Sequence, residues 1–265
     1  MENLRRSILI SGLGLGSGLC AYGQGLTTSE QSTRVNRLII AYNDDYAPYS
    51  FMDENVVKGI LPDILTHLLE SVPKLELQHV GFPWRRVQLE VQNAKSDAFC
   101  TFASEERQQY ALFHKIPVVV LQPHLFFAAN SPFRKTIERI STRSELMELR
   151  LIDQSGNQWA EQNLKDFPRI EFAPGHDSVF RMIMVGRGDV HVSLSPVVTR
   201  WRIRKLGLPM SDIMAVPAPY IAAQVPFHLL VGKQHPRAAE ILKHVDAMLS
   251  RPATTKVIES ITSRY

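Results

Sequence analysis

The sequence predicts an α/β protein made of two lobes with a cleft between them. Short apolar runs of strand character alternate with segments of helical period, which is typical of a parallel-rich sheet covered by helices. The same alternation appears in both halves of the chain. A length of 265 residues, with 45% hydrophobic side chains, suits two lobes of roughly 100 residues each. In such folds ligands bind at the carboxyl ends of the strands, and two lobes can close around them.

The amino terminus has the composition of an export signal. Arg5 and Arg6 precede an apolar stretch at 7–19, and the A-Y-G sequence at 21–23 is a cleavage site of the small-x-small type. We therefore predict a signal peptide at 1–23, read by either the Sec or the twin-arginine route, and a flexible polar leader at 24–37. Cleavage leaves Cys100 as the one thiol, and its apolar neighbours predict that it is buried.

The first half of the chain supplies three predicted strands and two predicted helices. Apolar residues at Ile64, Leu65 and Leu68 repeat with a helical period, whereas the segment around Leu75 and Leu77 alternates like a strand. Turn-forming residues follow the first strand at 43–48. The predicted strands are 38–42, 74–80 and 98–102, and the predicted helices are 62–72 and 87–93.

The second half repeats this alternation and ends in two helices. Its apolar positions again separate short strand-like runs from longer helical periods. The predicted strands are 149–152, 170–172, 190–194 and 227–231, and the predicted helices are 158–164, 178–185, 238–250 and 254–263.

Composition and spacing argue against several other classes of protein. Thirty basic residues are mixed with 26 acidic ones for a net charge of +4, so no basic face for nucleic acid is predicted. The nine histidines show no zinc spacing, no G-x-S-x-G motif is present, and we predict neither a metal nor a cofactor. The basic run at 200–205 is interpreted as a solvated helix face, with docking to a membrane partner as an alternative.

Three motifs occur in one order along the mature chain. They are Y-A-P-Y-S-F at 46–51 followed by G-I-L-P-D-I-L at 59–65, S-E-E-R at 104–107, and G-R-G-D-V at 186–190. Together they resemble the type II periplasmic solute-binding proteins, the amino-acid-binding components of ABC importers. The segment F-P-W-R-R at 82–86 is similar to a divergent branch of that family.

The resemblance implies a periplasmic monomer with the type II fold and a hinge of two crossover strands. The chain is expected to cross between the lobes near 123–128 and near 218–224. Lobe 1 would then comprise 38–125 and 222–265, with lobe 2 at 126–221. The implied partners are a small-molecule ligand and an inner-membrane permease, or alternatively a sensor protein.

The resemblance also implies a set of ligand-binding residues in lobe 1. Arg107 matches the arginine that pairs with the ligand carboxylate, and a guanidinium suits a carboxylate because it donates two parallel hydrogen bonds. Tyr46 matches an aromatic residue packed on the ligand. Asp44 on the same loop either takes a cationic group or serves as a turn residue. Trp84 either covers the ligand or caps the packing of the lobe.

In lobe 2 the resemblance places Gly156 and Asn157 at a strand–helix junction that holds the carboxylate, and Asn157 is also a candidate helix N-cap. Two positions depart from the family pattern. Leu194, next to Ser195, replaces the aspartate that binds the α-ammonium, and Phe102 replaces a serine that helps to hold the carboxylate. Because leucine offers nothing to an ammonium group, we predict a carboxylate ligand without an α-amine, such as an organic acid or a modified amino acid.

Two alternatives to import remain open from the sequence. One is a sensor or accessory protein whose ligand-bound form is recognised by a membrane partner. The other is an enzyme similar to the cyclohexadienyl dehydratases, which share the fold. A dehydratase needs a general acid, for which Asp44, Asp45 and His191 are available but are favoured by no pattern. We predict a binding protein without catalytic activity, since a fold does not fix a function.

Overall fold

The computed structural model describes residues 35–265. The predicted signal peptide at 1–23 lies outside these residues, and so does most of the predicted leader. Strand β1 already begins at Arg37. No helix among the described residues is both long enough and apolar enough to cross a membrane.

The first sheet has six strands and forms the centre of lobe 1. Its order is β5-β1-β6-β14-β7, with β8 also paired to β14. Strand β1 runs parallel to β5 and β6, whereas β14 returns from the end of the chain and pairs antiparallel with β6. The strands are β1 (Arg37–Asn43), β5 (Glu76–Phe82), β6 (Ala98–Thr101), β7 (Ala111–Phe113), β8 (Val119–Leu121) and β14 (Val225–Gly232).

Helices from both ends of the chain cover this sheet. The apolar faces of α1, α9 and α10 share one core with β1 and β14, in which Ile40, Ile64, Leu68 and Ile241 are fully buried. Burial of such side chains contributes about 1.5–3 kcal/mol each to folding. The helices of lobe 1 are α1 (Ile60–Leu69), α2 (Trp84–Gln92), α3 (Glu105–Tyr110), α9 (Ala238–Leu249) and α10 (Pro252–Ser263).

Lobe 2 contains a three-stranded antiparallel sheet and a parallel strand pair. The three-stranded sheet has the order β12-β9-β13, the pair is β10-β11, and a parallel bridge between Leu151 and Val190 joins the two. The strands are β9 (His124–Ala128), β10 (Leu151–Gln154), β11 (Ile170–Ala173), β12 (His191–Ser193) and β13 (Ile213–Pro217). The helices are α4 (Arg134–Ile137), α5 (Arg143–Leu146), α6 (Gln158–Asn163), α7 (His176–Met184) and α8 (Pro196–Lys205).

The chain passes between the two lobes at two short segments that touch each other. One is the link from β8 to β9, and the other is the loop between β13 and β14. The Ala218 N–H donates a hydrogen bond of 2.8 Å to the Pro123 carbonyl, which ties these two segments together. The exact lobe bounds of 38–125 with 222–265 and of 126–221 stay a prediction.

Helix α8 belongs to the cores of both lobes. Val198, in its first turn, is buried in the apolar cluster of lobe 1. Ile203, near its end, is buried with Phe126 and Phe180 in lobe 2. One rigid helix therefore packs across the boundary between the lobes.

A small three-stranded sheet in lobe 1 carries Tyr46. It consists of β2 (Asp45–Tyr46), β3 (Ser50–Asp53) and β4 (Val56–Lys58), and the Ala47–Pro48 peptide bond within it is cis. Gly59 ends this segment with φ 132°, and a Cβ atom there would lie 2.6 Å from the Tyr49 carbonyl oxygen. Only glycine fits at this position, so the start of α1 packs directly against the loop that carries Tyr46.

Candidate functional site: a cavity between the lobes

A cavity of about 740 Å³ lies between the two lobes, and residues from both contribute to its wall. This volume falls within the range of about 300–1,000 Å³ that is usual for small-molecule sites. Seven of the eight sequence-predicted site residues line it: Tyr46, Trp84, Phe102, Arg107, Gly156, Asn157 and Ser195. The eighth, Asp44, is not among the lining residues, whereas its neighbour Asp45 is.

Arg107 lies in the first turn of α3 and is 5% exposed. Ser104 is the N-cap of this helix, and its hydroxyl accepts a hydrogen bond from the Arg107 N–H at 3.4 Å. The guanidinium donates from Nη1 to the Phe102 carbonyl at 3.0 Å and from Nη2 to Gln88 Oε1 at 3.1 Å. These two neutral acceptors hold the side chain in a fixed orientation beside the cavity.

Two aromatic rings face the guanidinium. The Arg107 Cζ atom lies 4.2 Å from the centre of the Phe102 ring and 5.3 Å from that of Trp84. Cation–π attraction of this kind contributes about 0.5–2 kcal/mol, more where water is excluded. A serine at position 102 would offer a hydrogen bond, whereas Phe102 places the apolar face of its ring against the guanidinium.

The positive charge of Arg107 has no carboxylate partner among residues 35–265. Its Nε atom is buried without a hydrogen-bond acceptor, and the hydrogen bonds of its guanidinium to described residues go to a carbonyl and a carboxamide, not to an acidic side chain. Burial lowers the pKa of Arg107, while Tyr110 and Glu106 act in the opposite direction. An arginine remains charged under these conditions, so the site presents an incompletely satisfied cation to whatever enters the cavity.

The loop that follows β1 separates the two adjacent acids. Asp44 is held by backbone hydrogen bonds to Phe82 and Met52, and burial is the main cause that raises the pKa of its carboxyl group. Asp45 turns towards lobe 2, where it accepts a hydrogen bond of 2.5 Å from Arg202. Tyr46 packs against Tyr49 with a ring separation of 5.5 Å, and burial raises its pKa.

The strand–helix junction of lobe 2 is largely self-contained. Asn157 caps α6 by accepting from the Ala160 N–H at 3.3 Å, and its Nδ2 donates to Asp153 Oδ1 at 2.9 Å. The Gly156 N–H donates to Glu161 Oε1 at 2.7 Å. A backbone donor that the family resemblance assigns to the ligand carboxylate therefore already has an acceptor within the protein.

Ser195 and its neighbours take structural roles at the start of α8. The Ser195 hydroxyl accepts from the Val198 N–H at 3.4 Å, and a hydrogen bond to Ser195 partly offsets the effect of burial on the pKa of Tyr49. Leu194 packs against the apolar cluster of lobe 1. No acidic side chain of lobe 2 lines the cavity within the described part of the chain.

Two histidines of lobe 2 also line the cavity. The His191 Nδ1 atom lies 3.0 Å from the Ile152 carbonyl oxygen and 3.5 Å from Asp153 Oδ2. Burial, together with the nearby charges of Arg202 and His191, lowers the pKa of His176 to about 3. His191 appears among the candidates from the sequence, but no sequence pattern marks His176.

Among the described residues, the site contains a thiol but no group of side chains placed to bind a metal ion. Cys100 is buried, as predicted, and it lines the cavity, while burial raises the pKa of its thiol. Within residues 35–265, no group of three or more His, Cys, Asp or Glu side chains is placed to hold a metal ion.

Comparison with known proteins agrees with the two-lobed fold. No curated protein sequence matches the chain. An ancestral cationic amino acid solute-binding protein, AncCDT-1, superposes with a TM-score of 0.66 at 18% identity, covering 88% of this chain and 99% of that one. The arginine-, lysine- and histidine-binding protein ArtJ of Geobacillus stearothermophilus gives a TM-score of 0.65 at 14% identity, covering 85% and 94%.

A third similar structure is a sensor domain. A histidine kinase sensor domain with similarity to periplasmic binding proteins gives a TM-score of 0.64 at 19% identity, covering 88% of this chain and 97% of that one. At these identities the structures establish the fold alone. The sequence model of the bacterial extracellular solute-binding proteins, family 3, matches residues 38–265, which is nearly the whole described chain. The protein belongs to this family of solute-binding proteins.

Proposed function

We propose that the protein captures a small carboxylate-bearing solute in the cavity between its lobes. The observation that carries this proposal is Arg107, a buried guanidinium that lines the cavity and whose hydrogen-bond partners among the described residues are a carbonyl and a carboxamide, with no acidic side chain. A buried charge is costly unless it is paired, and a carboxylate is the geometric match for a guanidinium. Folding has already buried the charge of Arg107, so a ligand carboxylate that pairs with it would offset the free-energy cost of that burial.

The ligand is proposed to lack an α-ammonium group. In lobe 2, Leu194 occupies the position that the family resemblance assigns to the ammonium-binding aspartate, and it packs into an apolar cluster. The carboxyl of Asp153 is fully buried and does not line the cavity, and burial raises its pKa. Structural relatives described as binding cationic amino acids thus share the fold, but the chemistry of this cavity favours an organic acid or a modified amino acid.

Import through an ABC transporter from the periplasm is the proposed physiological role, with the protein acting as a monomer after signal-peptide cleavage. Sensing is the second candidate, favoured by the similarity to a histidine kinase sensor domain. The genes next to the coding sequence discriminate these roles: a permease and an ATPase support import, and a receptor kinase supports sensing. Membership of a solute-binding family supports a role without catalysis.

Ligand-induced thermal stabilisation tests the carboxylate proposal. Residues 24–265 are unfolded and refolded to remove any ligand, then screened against organic acids, aromatic acids and amino acids. A ligand at 100 times its Kd stabilises the folded state by about 2.7 kcal/mol, which is visible as a rise in Tm. We expect such a rise with carboxylates that lack an α-amine.

Two arginine variants make this screen specific. Arg107→Ala should abolish the rise in Tm. Arg181→Ala is a change of the same kind at an exposed position whose side chain forms no hydrogen bond with another described residue, and it should preserve the rise. A rise that survives in Arg107→Ala would exclude the proposed carboxylate site. A rise confined to ordinary α-amino acids would show that another group binds the ammonium.

A further inference from the structure

The two walls of the cavity differ in charge. Lobe 1 contributes Asp45, Arg85, Glu106 and Arg107, which are all ionisable. The described residues that line the cavity from lobe 2 include no Asp, Glu, Lys or Arg. That wall instead presents carboxamides and hydroxyls, which form hydrogen bonds without carrying a full charge, together with the imidazoles of His176 and His191.

Three carboxamide side chains of the lobe 2 wall have no hydrogen-bond partner among the described residues. The side chains of Gln154, Gln158 and Gln162 line the cavity, and none of them forms a hydrogen bond with another described residue. By contrast, Asn163, on the same helix as Gln162, donates from Nδ2 to the Trp159 carbonyl at 2.9 Å. Each free carboxamide offers two N–H donors and a carbonyl acceptor to a ligand.

The two histidines add further hydrogen-bonding groups to this wall. A carbonyl oxygen only accepts, so the Nδ1 atom of His191 carries the proton that it shares with Ile152. The side chain of His176 forms no hydrogen bond with another described residue, and its pKa of about 3 keeps this ring neutral at ordinary pH. The wall therefore mixes donors with acceptors.

This mixture selects among the groups that a ligand can carry. An ammonium group needs an acidic partner and a second carboxylate needs a cationic one, and the lobe 2 wall provides neither. A hydroxyl group both donates and accepts, which suits the carboxamides and the neutral ring of His176 equally. Trp84 and Trp159 contribute flat apolar surfaces to the same cavity, which suit the C–H face of a sugar ring.

We propose that the solute is a polyhydroxylated monocarboxylate of the sugar-acid class, with its carboxylate on Arg107 and its hydroxyls on the lobe 2 wall formed by Gln154, Gln158, Gln162, His176 and His191. This inference rests on the proposed carboxylate-binding function and specifies its ligand. A cavity of about 740 Å³ has room for a six-carbon acid of this kind together with bound water.

Calorimetric titration with matched six-carbon acids tests the inference. Gluconate and galacturonate carry hydroxyl groups, whereas hexanoate has the same number of carbons and none. We expect the sugar acids to bind at least about tenfold more tightly than hexanoate, since carboxamides left without partners in the bound state disfavour the apolar acid. Equal affinities would overturn the inference.

Glutamine variants test whether the lobe 2 wall causes the difference in affinity between sugar acids and hexanoate. The double variant Gln158→Leu and Gln162→Leu should weaken sugar-acid binding by about tenfold and leave hexanoate unchanged. Gln78→Leu, at an exposed position of β5 outside the cavity, is the matched control and should change neither. Unchanged sugar-acid affinity in the double variant, with its fold verified by circular dichroism, would also overturn the inference.

Titration of the Arg107→Ala variant distinguishes failure of the proposed carboxylate binding from failure of the proposed sugar-acid class. If carboxylates bind and depend on Arg107 but the hydroxyl groups have no effect, the carboxylate function stands and the sugar-acid class is wrong. If neither sugar acids nor hexanoate depend on Arg107, the carboxylate function itself is wrong.

Discussion

Acidification should destabilise the protein through a buried histidine in lobe 1. The His114 Nε2 atom accepts a hydrogen bond of 2.8 Å from the Leu229 N–H, so this ring is neutral in the folded state. The His228 ring lies 5.2 Å away, and the His114 Nδ1 atom is 3.6 Å from Asp246 Oδ1. Burial is the largest cause that lowers the pKa of His114, to about 4. The neighbouring His228 also lowers this pKa, whereas Asp246 raises it.

The size and sign of the effect follow from proton linkage. In the unfolded chain a histidine takes up a proton below a pKa of about 6.5, whereas the folded protein excludes that proton until the pH approaches 4. The stability that His114 contributes is therefore complete above pH 6.5 and is lost as the pH falls from about 6.5 to about 4. At about 1.4 kcal/mol per pKa unit, the loss between pH 7 and pH 5 is about 2 kcal/mol.

Urea unfolding at several pH values measures this loss directly. His114→Gln keeps an acceptor for the Leu229 N–H and removes the titrating group. We expect the free energy of unfolding of the original protein to fall by about 2 kcal/mol more than that of the variant between pH 7 and pH 5. His228 and His176 also have lowered pKa values, so both proteins should lose some stability. Parallel pH profiles would refute the assignment to His114.

Two further predictions concern single positions. Gly59→Ala should lower the free energy of unfolding by about 3 kcal/mol, because φ is 132° and the new Cβ would contact the Tyr49 carbonyl, whereas Gly175→Ala, extended and with nothing within 4 Å, should cost less than about 1 kcal/mol. Urea unfolding checks both, and equal losses would contradict the steric argument. Cys100 should react with a thiol reagent only after unfolding, since its thiol is buried and burial raises its pKa. Rapid labelling of the folded protein would contradict this.

Elements with a clear hydrophobic period could be predicted from the sequence. The helix predicted at 62–72 is α1, Ile60–Leu69, and the strand predicted at 38–42 is β1, Arg37–Asn43. The predictions omit β9 and β13. These strands pair with each other over five residues, and their stability depends on partners about 90 residues away along the chain.

The site shows the same division between local and long-range information. The motif around Arg107 places that residue at the cavity because it fixes a short helix immediately after β6. The sequence around Asp44 and Asp45 does not decide which of the two faces the cleft. Neighbouring side chains on an extended segment point in opposite directions, so only one of them can do so. The contact of Asp45 with Arg202 spans 157 positions and is visible only in the folded chain.

The shared helix α8 links the packing of the two cores to the relative position of the lobes. Val198 is buried in the core of lobe 1 and Ile203 in that of lobe 2, so separating the lobes must either expose an apolar side chain or carry the whole helix along. If the lobes open and close around a solute, hydrophobic burial away from Arg107 would set part of the equilibrium between the two forms. Substitutions that add or remove methyl groups in α8 would then change how long a solute is retained, without changing the groups that contact it.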